Sequence, residues 1–109
     1  MTETRNRLTP HSAITVPVVR KLLHRGAHSR LARVLNKAHP VEVARLLAAL
    51  RGSERKQAFS ILLDESDVSH VADVISEMSP SDSLPLLSEL KPHRIARYLS
   101  EMSADDART

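Results

Sequence analysis

Apolar residues recur along this chain at spacings of three and four, which is the signature of short helices that each bury one stripe. The clearest stretch is Pro40 to Leu50, PVEVARLLAAL, where Val43, Leu46, Leu47 and Leu50 fall on one helical face. The pattern returns at Pro92 to Met102, PHRIARYLSEM, with Ile95, Tyr98, Leu99 and Met102. The same template fits Leu31, Val34, Leu35, Ala38 and Val71, Val74, Ile75, Met78, and fits more loosely Val19, Leu22, Leu23, Gly26 and Ser83, Leu86, Leu87, Leu90. The anchors at 19, 31 and 43, and again at 71, 83, 95 and 107, are twelve residues apart. This is an internal repeat.

Twelve residues hold about two and a half turns of helix, roughly 15 Å long, and a tight turn. A helix this short is marginal alone in water, so each persists only by burying its stripe on its neighbours. The chain is therefore predicted to be all-α, a superhelix of short helical repeats. The first 16 residues read as a flexible basic arm and residues 17–109 as the helical array.

Punctuation marks predict the boundaries. Pro17 suits the first turn of a helix that Gly26 stops in the left-handed conformation. A second helix is expected at about Ser29 to Lys37, a third from Pro40 to near Arg51 and Gly52, and a fourth, capped by Ser53, from Glu54 to Asp64. In the fourth the phase is ambiguous, with Ala58, Ile61, Leu62 or Phe59, Leu62, Leu63 facing inward, and the step from 43 to 71 is 28 rather than 24. The array is expected to bend there. Asp67 or Ser69 starts the next helix, and Ser79-Pro80-Ser81-Asp82 has the form of a capping box. Pro85 would break a helix begun at Pro80, so that helix is expected to start near Ser83 or to split in two. Ser103-Ala104-Asp105-Asp106 repeats the capping form and is read as the opening of a last helix cut short at Thr109.

Composition narrows the function. The only aromatic residues are Phe59 and Tyr98, and there is no cysteine, so neither a disulfide framework nor thiolate chemistry is available. No run approaches the ~18 apolar residues of a membrane span. The net charge of +3 conceals an asymmetry: residues 1–58 carry twelve Lys and Arg against three acids, and residues 59–109 carry four against ten. Such a molecule attracts an acidic partner at one end and cations or a basic partner at the other. The plain alternative is that these charges are solvated outer faces of helices.

Catalytic and transition-metal signatures are missing. His24 and His28 have i, i+4 spacing, but Gly26 ends the helix between them and no ligand set is completed. With two glycines there is no phosphate-cradling loop, and no nucleophile elbow or zincin motif occurs. An enzyme is not expected. Nor is nucleic-acid binding, because stacking aromatics and finger or zipper signatures are lacking.

His39-Pro40 followed by Val43-Ala44-x-Leu46-Leu47-x-x-Leu50, the Leu50-x-Gly52 step, and the later units VADVISEMSP, LLSELKP and YLSEMSADDA resemble, in order and spacing, the cytoplasmic N-terminal domain of MgtE-type magnesium transporters. The resemblance covers roughly residues 18–109. It implies a right-handed superhelix of the FliG or armadillo kind, followed in the family by paired CBS domains and a transmembrane channel, at the cytoplasmic face of the membrane and in a homodimer. It also implies regulation by Mg²⁺, bound weakly between this domain and the CBS domains so that the pore closes when Mg²⁺ is plentiful. Matched position by position, the family's acids fall on Asp73, Asp105 and Asp106, while a further acid position falls on Thr109. Arg45, Arg94 and Arg97, expected on outer faces, make the chain more basic than the family pattern.

A lone carboxylate on one domain is half a site, since Mg²⁺ keeps several waters and is typically held by one or two carboxylates. Without the resemblance, Asp105 and Asp106 would be read as acids complementing the dipole of a first helical turn, and Asp73 as a solvated acid. The alternative function, from a different class, is a metal-independent scaffold that docks a protein partner.

Overall fold

A computed structural model describes residues 15–108, with side chains to Met102. Seven helices follow one another with turns of two to four residues between them: α1 (Val16–His24), α2 (His28–Lys37), α3 (Pro40–Ala49), α4 (Gly52–Glu65), α5 (Val68–Glu77), α6 (Pro80–Leu87) and α7 (Pro92–Arg108). No strand occurs among the described residues. Of the predicted arm, residues 1–14 lie outside this range, and α1 already begins at Val16.

The chain is an array rather than a bundle around one axis, 45 × 33 × 24 Å in extent. Helices separated by one in sequence pack together, α2 on α4, α3 on α5 and α5 on α7, and α1 closes the near end against both α2 and α4. Nearest neighbours α3 and α4, and α4 and α5, touch as well. This is the all-α superhelix that the twelve-residue period implied.

Two of the stripes are buried as their spacing required: Val43, Leu46, Leu47 and Leu50 are all inside, as are Val71, Val74, Ile75 and Met78. In the Pro92–Met102 repeat only Tyr98 is fully inside, Ile95 and Met102 are partly covered and Leu99 is exposed, since α7 packs chiefly on α5. In α4 both candidate faces are buried, Ala58, Phe59, Ile61, Leu62 and Leu63 together, because this helix is surrounded by α1, α2, α3 and α5. The irregular step of 28 is also accounted for: α4 has 14 residues where its neighbours have ten, one additional turn.

The first turn of chain reversal is a Schellman motif. Gly26 takes φ +69°, its N–H donates to Leu23 O, and the Ala27 N–H donates to Leu22 O. Pro40 opens α3, and the side chain of His39 caps it, Nδ1 accepting from the Val41 N–H at 3.1 Å.

Four local readings are corrected. Ser53 does not cap α4; the cap is Arg51, and Gly52 at φ +52° turns the chain into the helix two residues sooner. At Ser79 the hydroxyl donates to the Asp82 carboxylate at 3.1 Å instead of accepting from the backbone. Pro85 neither delays nor splits α6, which runs unbroken from Pro80. Its missing N–H would have met Ser81 O, and both residues are exposed, so water can serve that carbonyl. Finally, Ser103 starts no new helix: α7 continues through it for 17 residues, since neither Pro nor Gly interrupts the chain after Pro92.

Candidate functional site

Asp73 lies in the middle of α5, flanked by the buried Val71, Ala72, Val74 and Ile75, and is itself only partly covered. It therefore sits at the margin of the packed stripe with access to solvent. Asp105 and Asp106 belong to α7, the helix that packs on α5, but their side chains, and Thr109 altogether, lie outside the described residues. Their place on the backbone is nevertheless informative. They are in the far turns of a continuous helix and not in a first turn, so complementing a helix dipole does not explain two adjacent acids there.

Between the start of α5 and the middle of α7 is a shallow open cleft lined by Val68, Ala96, Arg97, Ser100 and Glu101. Glu101, partly buried, adds a carboxylate to this helix pair that the sequence motif contained without marking. No three His, Asp or Glu side chains converge on a metal position among the described residues.

Two ion pairs at the surface join the basic half of the chain to the acidic half. Arg55 Nη1 is 3.5 Å from Asp82 Oδ1, and Lys56 Nζ is 2.8 Å from Glu89 Oε2, which joins α4 to α6 and its exit. Arg20 and His24 of α1 both reach Glu54 at the start of α4, at 2.9 and 3.3 Å. Arg45 keeps to an outer face beside Glu42, and Arg97 is exposed. Arg94 is not an outer-face residue. Its guanidinium donates to Leu63 O at 3.4 Å and pairs with Asp64 at 3.5 Å, tying α7 to the end of α4. Tyr98, and after it Asp64, holds Arg94 above its ordinary value against the opposing effect of partial burial.

These contacts share a form that sequence spacing could not reveal. The last carbonyls of a helix have no intrahelical donor. Here they are met by side chains from other helices: Leu35 O by His70 Nε2, Glu65 O by Asn36 Nδ2, and Leu47 O, Leu50 O and Ala48 O by Arg55.

Among the described residues no helix is long and apolar enough to cross a membrane. Compared with known families, the chain matches the MgtE intracellular N domain over residues 38–109, from the turn before α3 through α7. No curated protein and no solved structure matched the chain. Helices α1 and α2 precede the matched region, yet they pack on α4 as further turns of the same array.

Proposed function

Since the chain belongs to the MgtE intracellular N domain family, we propose that it is the Mg²⁺-sensing regulatory module of a magnesium transporter, acting at the cytoplasmic face of the membrane. In this reading Mg²⁺ bridges Asp73 of α5 and Asp105, with Asp106, of α7 to carboxylates of adjoining CBS domains. The docked form restrains flux through the transmembrane channel, and a homodimer supplies two such contacts. The observation that supports it best is the placement of the Asp pair on a continuous α7, packed on the helix that bears Asp73, where helix energetics gives no reason for it.

The residues suit a shared site. A partly exposed carboxylate keeps its hydration and can exchange a water for a hard cation with little desolvation, and Mg²⁺ retains the rest of its shell. Because such a site is complete only when two domains touch, the ion favours the docked state by its differential affinity. The module then needs no catalytic group; its output is a change of position.

Asp73→Asn combined with Asp105→Asn in the full-length transporter tests the residues. Inhibition of flux should require a higher Mg²⁺ concentration than in the parent, and an unchanged dose response would show that other groups hold the ion. A native product no heavier than 12.1 kDa and found away from the membrane would instead leave the metal-independent scaffold as the function.

A further inference from the structure

The basic half of the chain is not used by the magnesium reading, and the fold gathers much of it on one face. From Thr15 to Val41 there is no acidic residue, against six Lys and Arg. Arg20 is engaged by Glu54. The other five, Lys21, Arg25, Arg30, Arg33 and Lys37, are all exposed, and the ion pairs formed by the described residues leave them out.

Their directions follow from the buried residues. In α2, Leu31, Ala32 and Leu35 face the core, and Arg30, Arg33 and Lys37 fall within about 60° of one another on the opposite side. In α1, Val19, Leu22 and Leu23 are buried, Lys21 lies on the far side of the helix, and Val18 and the C-cap residue Arg25 lie on its flank, all three exposed. The Schellman turn at Gly26 folds α1 back against α2, and both pack on α4, so the exposed sides of the two helices lie away from that contact. The result is a broad outer face with five cations and one exposed apolar side chain, Val18 at 44% exposure.

We propose that this α1–α2 face is a contact surface for a bilayer rich in anionic lipid headgroups. Several features favour that partner. The cations lie on the exposed sides of two adjacent short helices. It has no aromatic side chain for stacking bases, because Phe59 and Tyr98 are both buried elsewhere. Val18, on the flank of α1 with Arg25, offers apolar contact at the depth where the stems of Lys21 and Arg25 would lie. The family assignment supplies only the expectation that a membrane is near. The magnesium site takes no part, since its residues are on α5 and α7. Binding would hold the first two helices, which precede the region matched by the family, against the headgroups and so fix how the array is presented to whatever docks on its other end.

The test is sedimentation of the 109-residue chain with vesicles of phosphatidylglycerol and phosphatidylcholine in EDTA, which removes Mg²⁺ from the question. Binding should rise with the anionic fraction and fall steeply between 50 and 300 mM salt, about the range over which the Debye length shortens below ~10 Å. Each neutralised cation should weaken binding about fivefold, the equivalent of the ~1 kcal/mol contributed per Lys or Arg near such a surface. Arg30→Gln/Arg33→Gln/Lys37→Gln should therefore lose roughly a hundredfold, and Lys21→Gln/Arg25→Gln about twenty-fivefold, with helicity and melting temperature unchanged because all five residues are exposed. Equal binding to neutral vesicles, full binding by both variants, or tighter binding to duplex DNA or polyglutamate than to anionic vesicles at the same salt would overturn the proposal.

Discussion

The guanidinium of Arg55 stands 3.5 Å from the carboxylate of Asp82 while its Nε and other Nη close off the end of α3, donating to Leu47 O, Leu50 O and Ala48 O at 2.8 to 3.1 Å. One side chain of α4 thus joins α3 to α6. The planar fork of arginine can address several carbonyls and a carboxylate at once, which a lysine ammonium cannot do in the same geometry.

Arg55→Ala should therefore lower stability by about 2 kcal/mol, the range for hydrogen bonds from a charged donor when the acceptors remain partly covered. Arg55→Lys should recover only a minor part. Asp82→Asn should cost below about 1 kcal/mol, because the pair is partly exposed and screened. Urea unfolding midpoints with unchanged slopes would measure all three. Equal losses at Arg55 and Asp82 would mean that the ion pair, not the helix end, carries the contact.

Leu47 and Leu99 occupy the same position in the two clearest repeats, seven residues after Pro40 and Pro92, yet Leu47 is 0% and Leu99 48% exposed. Leu47→Ala should cost about 3 kcal/mol through lost burial and a residual cavity, whereas Leu99→Ala should stay below about 1 kcal/mol. Thermal melts of the two variants decide this. A similar drop for both would show that Leu99 is covered in solution, as by association of chains.

Gly26 takes φ +69° with nothing within 4 Å of where a Cβ would stand, so backbone conformation alone selects glycine. Gly26→Ala should destabilise by about 1 kcal/mol and Gly26→Asn by less, since asparagine tolerates the left-handed region better. Denaturant titration would show the order glycine, asparagine, alanine; alanine equal to glycine would rule out the strained turn.

Arg94 does not introduce a pH dependence in the ordinary range. Its folded value is raised above that of the unfolded chain, so its contribution is complete below the unfolded value and would be lost only as the pH rose through the folded one, in strong alkali.

Much of this architecture was legible in the order of residues because it is set locally. A stripe at i, i+3, i+4, i+7 demands one buried face whatever its neighbour, and the helices over Pro40–Ala49 and Val68–Glu77 buried the residues so marked. Gly26 and Pro40 act on their own φ angles and N–H groups, and did so as their chemistry requires. The acids of the candidate site were visible as a matched pattern, but a pattern has no depth. That Asp73 is half-covered on α5, and that the Asp pair rides on a helix packed against it, depended on how the helices stack.

What the sequence determined by itself was therefore the helical repeat, the turn at Gly26, the start at Pro40 and the buried stripes of α3 and α5, through interactions reaching no more than about four residues along the chain. The tertiary structure alone decided that Leu99 lies outside, that Pro85 sits harmlessly on an exposed face, that Arg94 reaches across to Leu63 O and Asp64, and that Asn36, Arg55 and His70 finish helices they do not belong to. Most of those partners are some thirty residues apart, and the path between them is set by the stacking of helices, for which no local spacing is a signal.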